Sequence, residues 1–190
     1  MLREENDRHH QGKFAPRILE IVTNYKDIFA SRGESVQIVS QLDELKRVEN
    51  AWGQCLICFN TGIIVPKSLL AKVGRESYNF HAAPPEFPGR DPHHWAINRG
   101  ATQYGATCHV MTEKVDDRPI IAVAPFEIQT GTTPETLAAQ AIDVAAGLFE
   151  QLLPRLLDGN IPTGDFTWGP IKTTREDSVQ MRGQRGFENF

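Results

Sequence analysis

Asn79 and His81 are the residues of this chain whose types and spacing best suit chemistry. They close a short apolar run, Ser77-Tyr78-Asn79-Phe80, and a proline-rich loop follows, Ala82-Ala83-Pro84-Pro85-Glu86-Phe87-Pro88-Gly89. On an extended strand, side chains two apart share a face, so the amide and the imidazole point the same way while Phe80 turns into the core. Two polar groups are thereby aimed at one substrate atom. Because a proline-rich loop cannot continue a sheet ladder, the strand stops at His81. This leaves the imidazole at a carboxyl end, where open α/β sheets place their ligands.

The elements that must hold this pair alternate along the chain. Ile18, Leu19, Ile21, Val22, Tyr25, Ile28 and Phe29 recur with helical spacing between Pro16 and a stop at Gly33. Ser35 to Val39 alternates and is β-branched, predicting a strand that leads into a polar helix over Leu42 to Val48. Cys55 to Phe59 is apolar on both faces, as expected of a central parallel strand, and Pro66 to Val73 has the length of a short helix. Pro92 to Asn98 predicts a brief helix, and Gly105 to Met111 and Pro119 to Ile128 predict two strands, antiparallel at least in part. Thr133 is a good N-cap, Pro134 suits the first helical position, and Leu137, Ala141, Val144, Leu148 and Leu152 form one stripe. Pro154 should kink the last turn of that helix and Gly159 should end it. The segment 160–190 reads as partly irregular, anchored by Phe166 and Trp168. The expected fold class is α/β, a three-layer open sheet, mostly parallel. The division is an N-terminal tail and helix over 1–33, an α/β domain over 34–160 and a C-terminal irregular tail over 161–190.

With 190 residues, 40% of them hydrophobic, the chain can bury a substantial core without staples. Its three cysteines, Cys55, Cys58 and Cys108, lie inside apolar runs, which suits a reduced, cytoplasmic protein. The amino terminus is too polar for a signal peptide, and no run of eighteen apolar residues predicts a membrane span. A formal net charge of −4 lacks the cationic stripe that nucleic acid binding needs. The amphipathic first helix and the aromatics Phe166, Trp168, Phe187 and Phe190 offer apolar area that suits a homodimer.

In order and spacing, the stretch Cys55 to Leu70, the Tyr78-Asn79-Phe80-His81 tetrad, the proline loop to Gly89, Trp95-Ala96-Ile97, the strand Gly105 to Met111 and Val115-Asp116 resemble the 10-formyltetrahydrofolate-dependent formyltransferase family. The resemblance implies a Rossmann-like formyltransferase fold. It also implies transfer of a formyl group to an amine by an Asn, a His and an Asp, which match Asn79, His81 and Asp116. In such a reaction an oxyanion develops on the formyl oxygen, and an imidazolium with an amide N–H stabilises it. A carboxylate beside the imidazole favours its charged form and relays protons through water. By the same resemblance, the folate donor would lie against the backbone of Ile63, Ile64 and Val65 and of Glu113, Lys114 and Val115. The first βα unit departs from the family pattern, since a helix precedes the Val36 strand and no glycine-bearing acceptor loop is visible. The expected acceptor is a small-molecule amine, possible classes being led by a nucleotide-linked amino sugar. The alternatives are a formyltetrahydrofolate hydrolase, with water as acceptor, and a non-catalytic folate- or partner-binding homologue.

Other polar groups read as structural. Cys55 and Cys58, three apart on a strand, face opposite sides and belong to the core rather than to a zinc or redox site. Adjacent His93 and His94 do not both reach one ion from a helix, so no metal is expected. His109 reads as a supporting residue near Asp116.

Overall fold

A computed structural model describes residues 20–21, 24–34, 36–37, 42–47, 55–60, 64–112, 119–159 and 161–184. Four strands form one sheet in the order β1 (Ile57–Phe59), β2 (Tyr78–His81), β3 (Gln103–Val110) and β4 (Ile120–Glu127). The helices are α1 (Lys26–Ser31), α2 (Leu42–Lys46), α3 (Lys67–Val73), α4 (Pro92–Asn98), α5 (Pro134–Asp158) and α6 (Arg175–Gln184).

The expectation of a mostly parallel sheet is corrected. Among the described strands only β1 and β2 run parallel, whereas β2 with β3 and β3 with β4 are antiparallel. Parallel pairing needs a crossover that carries the chain back along the sheet. The seven residues of α4 span only about 10 Å, so β3 starts at the end where β2 finishes and runs the other way. β4 is the outer strand, and Pro125 is tolerated there because it leaves no ladder donor missing toward a further neighbour. β1 is the outer strand on the other side among the described residues, not a central one. Of the strand expected over Ser35 to Val39, residues 35 and 38–39 lie outside the described residues, and Val36 and Gln37 carry no strand.

Alternation along the strands separates two faces. Phe59, Phe80, Cys108 and Ala106 face α5, which covers the sheet with Leu137, Ala141, Ala145, Phe149 and Leu153. Thr133 caps α5 by accepting from the Thr136 N–H at 3.2 Å, Pro134 occupies its first turn, and Gly159 ends it at φ 66°. The helix runs through Pro154 to Asp158, about 37 Å in all. Phe59, Phe80 and Phe149 form a triad, with Phe59 stacked on Phe80 at 4.8 Å and Phe149 set edge-on to both at 4.8 and 5.4 Å. On the opposite face α3 packs through Leu69 onto Cys58 and Val65. Helix α5 therefore covers one face, while on the other α3 packs only at the β1 end of the sheet. Cys55 packs on the α5 side and Cys58 on the α3 side. Burial raises both thiols, to about 11 and about 12, which leaves them protonated and inert near neutrality.

The segment read as an irregular tail contains a helix, α6. Thr174 caps it. The Asp177 N–H donates to Thr174 Oγ1 at 3.2 Å, and Asp177 Oδ2 accepts from both the Thr174 N–H and its hydroxyl at 2.8 Å. That reciprocal arrangement is a capping box. Periodicity fails to show it because α6 is polar over most of its length.

Candidate active site

β2 ends at His81 as the sequence predicts, and the proline loop beyond it is buried at Pro84, Pro85 and Pro88. Thr107 lies opposite His81 on β3 and donates its hydroxyl to the Ala83 carbonyl at 2.7 Å, tying the loop's first turn to the sheet. Asn79, His81, Thr107 and His109 share one face by strand alternation and cross-strand register, with Asn79 directly opposite His109. A register shift between Cys108 and His109 places Ile120, rather than Ile121, opposite His109. Such bulges re-aim side chains, and His109 here stands between the Asn79 amide on β2 and the apolar Ile120 on β4.

His109 is nearly inaccessible, and both its ring nitrogens are engaged. Nδ1 lies 3.0 Å from the Val110 carbonyl oxygen, which can only accept, so Nδ1 carries the hydrogen. Nε2 then presents its lone pair in the neutral ring and accepts from Asn79 Nδ2 at 3.0 Å. The contact sets the amide's polarity. One N–H of Asn79 is committed to His109, and the amide's second N–H is left for another acceptor. His109 thus meets Asn79 across the strand pair, while Asp116, the neighbour the sequence reading gives it, lies outside the described residues.

His81 is 8% exposed, and its Nε2 is buried with no hydrogen-bond partner among the described residues. An unsatisfied buried polar atom costs on the order of 1–3 kcal/mol and is uncommon in native proteins. Ser77 Oγ, Trp95 Nε1 and Tyr104 Oη are in the same state, but of the four only His81 stands on the Asn79 face at the end of β2.

The cover over this face comes from residues 161–174, which run as a strap without helix or extended strand. The Gly164 N–H donates to the Ile120 carbonyl at 2.8 Å and the Gly169 N–H to the Pro85 carbonyl at 2.8 Å. Thr173 is bridged to Gly89, and its hydroxyl donates to the Arg90 carbonyl at 2.7 Å. Between these anchors the Trp168 ring stands 5.0 Å from His109, edge to face, and 6.4 Å from His81 at a 56° tilt. Trp168 is the half-buried anchor the sequence suggests, whereas Phe166 is 47% exposed. Neither periodicity nor composition signals that Trp168 lies over the pair.

Gly89 shows how closely the strap is seated. Its φ is +99°, and a Cβ there would stand 2.3 Å from the Thr173 carbonyl oxygen. Gly89→Ala is expected to cost on the order of 1–3 kcal/mol of backbone strain and to release the strap while the α5-facing core persists. Limited proteolysis should then cut within 161–174 at protease levels that leave the parent chain whole. Equal resistance would show that the strap does not depend on this contact.

The remaining expected residues divide. Ile64 is 68% exposed, and Val65 is buried beneath it against Cys58 and Leu69. Ile63, Glu113, Lys114, Val115 and Asp116 lie outside the described residues. The β3–β4 connection that carries the last four closes with the Val110 N–H on the Pro119 carbonyl at 3.1 Å. His93 and His94 lie ring against ring on α4, 4.7 Å apart. Among the described residues no group of three or more His, Cys, Asp or Glu is placed to hold a metal, and no described helix is long and apolar enough to cross a membrane.

A strand-end amide and imidazole thus lie beneath an aromatic cover on one face of an α/β sheet. The chain belongs to the formyl transferase family, whose sequence profile matches residues 30–153. Its fold is similar to that of a sugar N-formyltransferase from a Shewanella species, with a TM-score of 0.69 at 17% identity over 87% of this chain and 74% of that one. It is also similar to an N-formyltransferase from Helicobacter canadensis solved with folinic acid and dTDP-3-aminofucose, with a TM-score of 0.57 at 21% identity over 73% of this chain and 51% of that one. A 4-N formyltransferase from Francisella tularensis gives a TM-score of 0.60 at 16% identity over 82% of this chain and 62% of that one. At these identities the likeness is one of fold.

Proposed function

We propose that this chain moves the formyl group of 10-formyltetrahydrofolate to a primary amine of a small molecule, with a nucleotide-linked amino sugar as the acceptor class. The observation that carries the reading is the buried Nε2 of His81, without a partner among the described residues, on the same strand face as an Asn79 amide whose polarity His109 sets. The folate supplies an activated formyl carbonyl. As the amine nitrogen bonds to the formyl carbon, negative charge grows on the formyl oxygen, and the Asn79 N–H and the protonated His81 ring donate to it. Asp116 takes the role of holding the imidazolium and passing the amine's proton, through water, toward the folate nitrogen that leaves. Main-chain atoms of 63–65 and 113–115 form the donor site in this reading. The acceptor class is supported by the shared fold with the Helicobacter canadensis protein, which was solved with an aminated nucleotide sugar. We place the enzyme in the cytoplasm, acting without nucleic acid or membrane, and as a homodimer.

Calorimetric titration with 5-formyltetrahydrofolate, a non-transferring donor mimic, tests the donor site. Saturable binding is expected, weakened about tenfold or more in Asp116→Asn by loss of a charge-assisted contact. A formyl-transfer screen against dTDP-linked amino sugars, glycinamide ribonucleotide and free amino acids then tests the acceptor. Turnover only with the latter two would overturn the sugar assignment, and absence of donor binding would overturn the function as a whole.

A further inference from the structure

We infer that Trp168 is a specificity-determining residue that closes the approach to His81 against water and so commits the formyl group to an amine. The inference rests on the formyl-transfer reading for its chemistry, but the shield itself is a matter of geometry. Trp168 is held from the backbone: its neighbour Gly169 donates to the Pro85 carbonyl at 2.8 Å, and a Cβ on Gly169 would stand 2.7 Å from the Glu86 carbonyl oxygen. With so little slack in the chain, the indole moves mainly by its own side-chain torsions. Its edge-to-face contact with His109 at 5.0 Å restrains those as well.

The space beneath the indole is narrow. Placing a third planar group between two rings takes about 7–8 Å, two van der Waals contacts of about 3.5–4.0 Å each. The 6.4 Å between the Trp168 and His81 centroids is less than that. An acceptor therefore reaches His81 past the edge of the indole, by a slender group such as a primary amine, while its bulk stays outside. Nε2 of His81 is out of reach of a water-sized group while the indole stays in place, so the amine arrives only as the acceptor's bulk, bound outside, turns the indole aside, a displacement for which a lone water has no binding energy. Hydrolysis would form a bond from the water oxygen to the formyl carbon, break the carbon–N10 bond with transfer of a proton to N10, and release formate and tetrahydrofolate. Excluding water until an amine fills the opening suppresses that route.

The test compares Trp168→Ala, Trp168→Phe and the parent chain in two assays. The first follows acylation of His81 by diethylpyrocarbonate, read by peptide mass mapping, and involves no folate. The second follows formate release from 10-formyltetrahydrofolate with and without the best amine acceptor. Trp168→Ala should be acylated at His81 about tenfold faster or more and release formate about tenfold more per amine formylated, while Trp168→Phe stays close to the parent in both. Equal acylation of His81 in Trp168→Ala would overturn the shield whatever the donor chemistry. Faster acylation with an unchanged ratio of formate to formylated amine would overturn the commitment to amine. A parent chain that formylates no amine would overturn the function and the partition with it, and a surviving acylation contrast would locate that failure in the chemistry rather than in the shield.

Discussion

Replacing His81 by Ala is expected to lower kcat for formyl transfer about 10²–10⁴-fold while leaving the fold and its melting temperature nearly unchanged. Two terms oppose each other in the folded state. Truncation removes a buried nitrogen with no partner among the described residues, relieving on the order of 1–3 kcal/mol. It also opens a cavity under Trp168 and gives up ring contacts with the indole, a loss of similar size. The remainder should fall within about 1 kcal/mol, or about 2–4 °C in Tm for a chain of this length. A large loss of activity without loss of stability separates a reacting group from a packing one. Full activity in the variant would remove His81 from the mechanism, and a collapse of stability would mean that the imidazole has a partner of structural weight.

The residue between the two site groups should behave in the opposite way. Phe80 is fully buried and lies against both Phe59 and Phe149. Phe80→Ala is expected to cost about 3–5 kcal/mol through lost transfer energy and an unfilled cavity. The edge-to-face and stacked pairs it breaks are worth about 0.5–1.5 kcal/mol each, part of which that range already includes. Against a total stability of about 5–15 kcal/mol, this lowers Tm by about 6–20 °C. Urea unfolding followed by far-UV circular dichroism would measure it. Val179→Ala is the control: that side chain is 65% exposed on α6, and its removal should change stability by less than about 0.5 kcal/mol. Similar effects of the two substitutions would mean that the aromatic triad is not the centre of the core. At low temperature, where the Phe80 variant remains folded, its transfer activity should stay far above that of His81→Ala.

These two expectations rest on parts of the molecule that differ in how visibly they are written in the sequence. The placement of Phe80 inward with Asn79 and His81 outward follows from strand alternation alone, and the proline loop marks where the strand stops. The ends of α5 are equally readable, because Thr133, Pro134 and Gly159 each carry a local conformational preference. The opposite-facing cysteines follow from strand geometry in the same way. Strand direction is different. The alternation from Gln103 to Val110 is the same whether β3 runs with β2 or against it, and only the shortness of α4 distinguishes the two. The link between His109 and Asn79 depends on that direction, since antiparallel register is what sets the two residues opposite each other. The strap is least visible. It is fixed by main-chain hydrogen bonds and by the missing side chains of Gly89 and Gly169, neither of which leaves a periodic signal. The capping box of α6 is readable at Thr174 and Asp177 once polar helices are sought as well as amphipathic ones.

The strap also sets an order of events during synthesis. Thr173 and its hydrogen-bond acceptor Pro88 are separated by 85 positions. At a translation rate of about 5–20 residues per second, some 4–17 s pass between emergence of the proline loop and emergence of the segment that locks onto it. The sheet face bearing Asn79 and His81 can form during that interval with its indole cover still unmade. Contacts of such long sequence separation also form late in refolding, after the hairpin of β3 and β4 and the packing of α5. A newly made molecule would therefore pass through a stage with its α5-facing core formed and the Asn79 and His81 face open, covered only when residues 161–174 are drawn across the sheet.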